Sequence, residues 1–298
     1  MVDTDNALNV LSGLTAQLVE RSAGSVVAVH GGRRSSSGIH WRAGIVVTAE
    51  EVLERDEDIA VAFPDGRQVA AALVGRDPST DVAVLRIQPD GLSIAQTVGS
   101  APLQPGNIVL AIGKHDGLPL ASFGIVAFVG GAWRSLRGGT IDSLLRLDLV
   151  LDPTAEGGAV VDVRGQVLGM AVSAPRRRVL AIPASTIDRA VDQLLAKGYV
   201  GRGYLGASLQ NVRVHGQAGS EPDRAVLIVN IDPEGPATRA GLLVGDIITA
   251  WDSKPVKRVR DVVGFLGAES IGGTVTFDVI RGGARMAFAA VIDERPLT

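Results

Sequence analysis

Turn residues cut this chain into short apolar runs, and the spacing of the cuts limits the available folds more than any other feature. The runs GSVVAVHG, SSGIHW, GIVVTA, DIAVAFP, RQVAAALVGRD and VAVLRIQ follow one another in order, with a turn about every 8–12 positions, which fits antiparallel strands in a barrel or sandwich rather than strands alternating with helices. After the turn at residues 104–107 a second set begins with IVLAIGK and ASFGIVAFVG, and it continues through LLRLDLVLD, AVVDVRGQVLGMAV and VLAIPA. Two successive small barrels are expected. The 37 glycines supply the turns, and a hydrophobic share of 46% over 298 residues supplies apolar surface for two domains.

Helical spacing appears in three places. Ala7, Leu8, Val10, Leu11, Leu14, Leu18 and Val19 mark an amphipathic helix over residues 6–21. A second helix is expected to start at Ser185 as N-cap with Asp188 as its capping-box partner, to bury Ile187, Val191, Leu194 and Leu195, and to stop at Gly198. From Tyr204 the pattern becomes strand, strand, short helix (PATRAGL), strand, longer helix from Val259 to Ala268, and a hairpin turning at Arg281, Gly282 and Gly283. The expected division is a helical segment over 1–22, a double barrel over 23–199 and an α+β module over 200–298.

Composition removes several functions. The chain has no cysteine, which excludes disulfides, thiolate catalysis and zinc–cysteine sites. A net charge of −3 gives no basic surface for nucleic acid, and the basic run Arg176, Arg177, Arg178 reads as a solvated loop tip. No apolar run reaches the roughly 18 residues of a membrane span. The first residues carry Asp3 and Asp5 and lack the basic start and apolar core of a leader. A cytoplasmic location is therefore expected if Met1 is the native start, and an extracytoplasmic one if a leader was trimmed.

In PTAEGGAVVD, Glu156 stands before two glycines and an apolar run, a place where the backbone turns tightly and presents one side chain. Around it the segment Ser25–Ala184, followed by VDQLLAKGYVGRGYLGASLQNV and IDPEGPATRAGLLVGDIITAWDSKPV, resembles the HtrA serine proteases from roughly Leu11 to Pro296. The resemblance is specific in RDPSTDVAVLRI, in IVLAIGKHDGLP and along the PDZ-like block. It implies a mostly β chain, a trypsin-like double β-barrel followed by an α+β PDZ domain. Acyl transfer in that family needs a serine activated by a histidine that an aspartate orients. The histidine position falls on Glu51, the aspartate position on Asp81, and the serine position on Glu156, while Thr154 replaces the oxyanion-hole glycine. Thr48, Val52, Pro153, Gly157 and Gly158 fix both registers. His30, His40, His115 and His215 read as core or surface imidazoles, and Ser36, Ser37 and Ser173 as ordinary hydroxyls, so no displaced catalytic group is evident.

If the barrels close as in the family, Glu51, Asp81 and Glu156 converge, and either one pKa rises or a cation such as Ca²⁺ or Mg²⁺ sits between them. No other cofactor is indicated. The blander expectation is that the glutamates turn outward or bond vacated backbone groups. In the PDZ-like module Tyr204, Leu205, Gly206 and Ala207 match the family's carboxylate-binding loop; Leu205, Ala207 and Leu209, facing Val262, Val263, Phe265 and Leu266, are expected to receive an apolar C-terminal residue. The resulting reading is a pseudoprotease that binds polypeptides with apolar C-termini, or unfolded proteins, in protein quality control. By resemblance it is a homotrimer or a mixed oligomer with an active paralogue. The competing reading is a serine endopeptidase or a carboxylate-based hydrolase using displaced residues.

Overall fold

The structure, a computed structural model, describes residues 4–63, 65–88, 91–97, 102–115, 117–135, 137–214 and 223–296. The chain divides into two units, Met1–Val200 and Gly201–Thr298. In the first, α1 (Thr4–Ala23) precedes β1 (Val26–His30), β2 (Ser36–Arg42), β3 (Ile45–Thr48), β4 (Ile59–Ala62), β5 (Gln68–Asp77) and β6 (Val82–Arg86). These six strands close a barrel in the order β1-β2-β3-β6-β5-β4. Then come β7 (Ile108–His115), β8 (Leu118–Gly130), the short hairpin β9 (Trp133–Arg134) and β10 (Thr140–Ile141), β11 (Leu144–Asp148), β12 (Ala159–Val161), β13 (Val167–Ala174), β14 (Arg178–Pro183) and α2 (Ala184–Lys197). The second barrel runs β11-β14-β13-β12-β7-β8.

The strands read as unbroken apolar runs because both of their faces are buried. Along β6, Ala83 and Leu85 point into the first barrel's own core, whereas Val82 and Val84 join a larger core shared with the second barrel. Along β7, Val109 and Ala111 fill the second barrel while Leu110 and Ile112 enter the shared core. A strand buried on both faces loses the in–out alternation of a half-exposed one. Truncating fully buried Ile112 to alanine would cost about 2–5 kcal/mol, the loss of transfer energy plus the cavity left behind.

The helices depart from expectation at their ends. The first spans Thr4–Ala23, beyond the expected 6–21, with Leu18 buried and Leu8, Val10, Leu11 and Leu14 exposed. The N-cap of α2 is Pro183, not Ser185, and no side chain caps it. The expected partner Asp188 instead accepts from Trp41 Nε1 at 2.8 Å and from Arg42 Nη2 at 3.0 Å. Gly198 does end the helix, in the left-handed conformation at φ 78°.

The second unit comprises β15 (Gly203–Tyr204), β16 (Ala207–Val214), β17 (Asp223–Ile231), α3 (Pro236–Arg239), β18 (Ile247–Trp251), β19 (Lys254–Pro255), α4 (Val259–Phe265), β20 (Thr274–Arg281), β21 (Ala284–Val291) and β22 (Asp293–Glu294). Its main sheet runs β16-β17-β18-β20-β21. The longer helix stops at Phe265, three residues short of expectation, and Ala268–Ser270 form a separate 3₁₀ turn.

Candidate functional site

Glu51, Asp81, Thr154 and Glu156 are brought to the first unit by three loops. Glu50–Val52 form a 3₁₀ turn after β3. Arg76 holds the chain beyond it by donating to the carbonyl oxygens of Leu53 and Arg55, each at 2.7 Å, and by pairing with Asp56 at 2.6 Å. Asp81 lies between β5 and β6 at φ 59°, a left-handed conformation that aspartate tolerates better than most residues. Before it, Asp77 accepts from the Ser79 amide and from the Ser79 and Thr80 hydroxyls, which fixes the loop. The Asp81 carboxylate then accepts from the Glu51 amide at 2.9 Å.

Burial, and next the nearby charges of Glu51, Glu156 and Glu50, raise the Asp81 pKa to about 7, even though the Glu51 amide favours its charged form. Glu51 points to Arg137, at 3.4 Å, and Arg137 also holds Glu50 at 2.9 Å. Among the described residues no three acidic or histidine side chains are grouped closely enough to hold a metal ion.

The third loop carries the glycines. Pro153–Ala155 form a 3₁₀ turn capped by Asp152, whose carboxylate accepts from the Thr154 amide at 2.8 Å and the Thr154 hydroxyl at 2.7 Å. The amide expected at the oxyanion-hole position is thus already bonded by a side chain two residues earlier. Glu156 ends the turn, with its main-chain oxygen accepting from the Ser37 amide at 3.0 Å and its Oε1 accepting from the Ser173 amide at 2.7 Å. Gly157 follows at φ 82°, and a Cβ there would collide with the Ser37 carbonyl oxygen and the Thr48 hydroxyl. Conformation and close approach both demand glycine.

His40 and Ser37 are spent on structural hydrogen bonds rather than on a catalytic pair. His40 is buried; its Nδ1 lies 3.0 Å from the Ser93 carbonyl oxygen and its Nε2 accepts from the Gly44 amide at 3.2 Å. His115 closes β7, with Nδ1 3.4 Å from the Thr154 hydroxyl. The buried Ser37 hydroxyl donates to the Thr154 carbonyl at 2.6 Å and accepts from the Lys114 amide at 2.8 Å, so it is spent on structure. His215 lies outside the described residues. Asp152 and Arg137 were not singled out from sequence, although Asp152-Pro153-Thr154 carries the local signature of an aspartate-capped turn.

A cavity of about 790 Å³ adjoins Glu51 and Asp81, with Phe128, Trp133 and Leu144 among its walls.

In the second unit, Tyr204 belongs to β15 and its hydroxyl donates to Asp232 at 2.9 Å. The Leu205 and Gly206 carbonyls accept from Ala237 and Asp232, each at 2.8 Å, which pins the loop. Among the described residues the Leu205 and Gly206 amides have no acceptor of their own. Gly206 sits at φ 73° with Gly235 and Pro236 where a Cβ would point. Leu205 and Val262 are core residues, at 2% and 0% exposure, so they do not line a pocket; Ala207, Leu209, Phe265 and Leu266 pack partly buried against that core. Val263 faces outward. A cavity of about 770 Å³ in this unit, bounded by residues such as Thr249 and Met286, touches none of the expected peptide-binding positions.

Known proteins agree with this architecture. Residues 36–170 match the trypsin-like peptidase domain and residues 203–291 the PDZ domain. A probable periplasmic serine endoprotease of the DegP-like type from Bartonella henselae is 32% identical over 264 residues, covering 85% of this chain and 52% of that protein. The chain thus spans about half the length of such curated relatives. Among solved structures, a serine endoprotease from Yersinia pestis is 29% identical with a TM-score of 0.73, covering 94% of this chain and 98% of that one. An HtrA-type protease, AlgW, with tripeptide is 27% identical with a TM-score of 0.72, covering 95% and 98%. Two closed six-stranded barrels followed by a PDZ sheet, matched in order by both domain models, make this chain an HtrA/DegP-type protein: a trypsin-like peptidase domain joined to a PDZ domain.

Proposed function

We propose that this protein binds polypeptides through its PDZ domain and does not cleave them. The observation that carries the reading is the state of the turn at Glu156. A carboxylate stands where an activated hydroxyl is needed, it is bonded to the Ser173 amide, and the neighbouring Thr154 amide is taken by Asp152. A carboxylate at Glu51 cannot serve as the imidazole base of acyl transfer. The open amides of Leu205 and Gly206, by contrast, support capture of a C-terminal carboxylate, with the peptide added as a strand beside β16.

The Asp81 carboxyl, raised to about 7 by burial, favours one second reading, a carboxylate hydrolase, because a pKa near neutrality suits general acid–base work. The two separate in one experiment. The purified protein is incubated with a serine-directed phosphonate and with unfolded casein; the first reading expects neither labelling nor cleavage. Cleavage without labelling, abolished by Glu156→Ala, would favour the hydrolase, and labelling of any hydroxyl would overturn both. For the PDZ reading, peptides with apolar C-termini are titrated alongside their amidated forms. Carboxylate capture expects at least a tenfold weaker amide, and equal affinities would reject it.

The proposed partners are unfolded chains and polypeptides with apolar C-termini. The proposed assembly is a homotrimer or a mixed oligomer with an active paralogue, supported by the exposed Leu8, Val10, Leu11 and Leu14 on α1. Relatives named as periplasmic favour the extracytoplasmic location over the cytoplasmic one.

A further inference from the structure

The cavity of about 770 Å³ in the second unit lies away from the loop at Tyr204–Ala207 and carries a charge that peptide capture leaves unexplained. Strand pairing creates it. β17 meets β18 at Val226 with Ile248 and at Leu227 with Ile247, whereas the next residues of β18, Ala250 and Trp251, take Pro255 and Lys254 of β19 as partners. The start of β17 parts from its neighbour, and the hollow opens between Arg224 and Ala225 on one side and Pro255 and Lys257 on the other.

Arg224, Lys257 and Arg285 line this hollow, with Thr249 and Asp278 as its other polar side chains. Among the described residues none of the three cations has a carboxylate partner, although the same unit pairs Arg239 with Asp293 at 2.6 Å and Arg281 with Asp246 at 2.7 Å. A further cation adds to the imbalance. Arg213 stands directly opposite Arg224 in the ladder of β16 and β17, and like charges in that position cost stability unless an anion lies between them. Asp278 does not neutralise the group across its own strands, because its partners there are Ala250 and Ala287.

The three cations come from β17, from the segment after β19 and from β21, so they surround one hollow rather than follow a line. That arrangement suits a compact anion, and the volume falls within the roughly 300–1,000 Å³ of small-molecule sites. Arginine presents a planar fork that matches a phosphate. The carboxylate of Asp278 in the wall repels a uniformly anionic guest but accepts from a hydroxyl. We propose that the hollow binds a phosphate ester with free hydroxyl groups, its phosphate held by Arg224, Lys257 and Arg285 and its hydroxyls donating to Asp278. Free polyol phosphates and glycerol-terminated phospholipid headgroups share this chemistry. The site stands whether or not the turn at Glu156 supports cleavage.

Glycerol 1-phosphate is titrated calorimetrically into the full chain, and flotation is measured with vesicles of phosphatidylglycerol or phosphatidylcholine. Saturable binding that weakens as salt rises is expected. Arg224→Gln with Arg285→Gln, melting as the unaltered protein does, should bind at least about tenfold more weakly. Asp278→Ala should lower the preference for glycerol 1-phosphate over inorganic phosphate by about tenfold, because only the ester has hydroxyls to lose. Arginine-dependent flotation with phosphatidylglycerol alone, displaced by glycerol 1-phosphate, supports the site and assigns a lipid source; binding of glycerol 1-phosphate without flotation supports it and assigns a soluble one. No binding in either arm, or binding that the arginine substitutions leave unchanged, overturns the site. A short glutamate-rich peptide held by the same arginines more tightly than glycerol 1-phosphate would assign the hollow to an acidic polypeptide and overturn it equally. Should the double variant not fold, the preference for the ester over inorganic phosphate decides: its absence from the unaltered protein overturns the site.

Discussion

The turn at Pro153–Gly158 and the loop at Tyr204–Ala207 are built alike and end differently. Each uses a glycine at positive φ, Gly157 at 82° and Gly206 at 73°, to let backbone approach backbone. Each lies where main-chain amides would serve an anion: an oxyanion in the first unit, a peptide carboxylate in the second. In the turn the Thr154 amide is filled by Asp152, and the Glu156 carboxylate is itself held by the Ser173 amide of β13. In the loop the Leu205 and Gly206 amides stay open among the described residues. On the proposed reading, the fold keeps the scaffold of an anion site that its own side chains now fill in part, and an open amide says more about present binding than a matching outline does.

The sharpest way to break the comparison is to reopen the turn. Glu51→His with Thr154→Gly and Glu156→Ser rebuilds the base, the nucleophile and the donor around the existing Asp81. Phosphonate labelling should rise by on the order of 100-fold over the unaltered protein, part of the loss of about 10⁶ that removal of such groups produces. Labelling of the unaltered protein at a comparable rate would mean the turn was never closed. The converse change closes the loop: Gly206→Val forces a branched residue to positive φ and drives a side chain at Gly235 and Pro236. It should weaken binding of apolar C-terminal peptides by more than about tenfold and destabilise the second unit by about 2–3 kcal/mol, read by titration and by thermal melting.

Sequence carried the two barrels because doubly buried strands such as β6 and β7 leave unbroken apolar runs between turns, a signal local enough to read. The registers proposed for Glu51 and Glu156 rest on Thr48, Val52, Pro153, Gly157 and Gly158, which bracket them. Sequence did not carry the fate of the carboxylates, which was decided by distant partners. Arg137 arrives from the segment between β9 and β10, and Ser173 from β13, and no local pattern announces either meeting. The capping box at Ser185 failed for a related reason. Asp188 met Trp41 and Arg42 across the fold, so the local hydrogen bond lost to a tertiary one. Asp152 differs from these: its cap is local, and Asp152-Pro153-Thr154 displayed it.

Asp81 offers a graded test of how closed the site is. Its folded pKa of about 7 lies above the unfolded value of about 3.9, so between these pH values the folded state holds the extra proton. Stability from this group is fully present below about pH 4 and is lost as pH rises through about 7. Asp81→Asn keeps the oxygen that accepts from the Glu51 amide and removes the charge. At pH 8 the variant should be more stable by on the order of 4 kcal/mol, and the difference should vanish toward pH 4, measured as unfolding free energies of the first unit across pH. A pH-independent difference would show that neither burial nor the neighbouring carboxylates raise Asp81.

The smallest effect separates capping from catalysis. Asp152→Ala frees the Thr154 amide and removes the cap of a 3₁₀ turn, a loss of about 1 kcal/mol, or a fall of about 2–4 °C in the melting temperature of the first unit. No labelling or cleavage should appear, because a free donor stabilises only a charge that some nucleophile has first created. The same substitution added to the reopened triple variant should instead raise labelling further, since a donor released from Asp152 can then face an oxyanion. If it lowers labelling, Asp152 is holding the turn in the conformation that chemistry requires, and the hydrogen bond that looks like closure would be support.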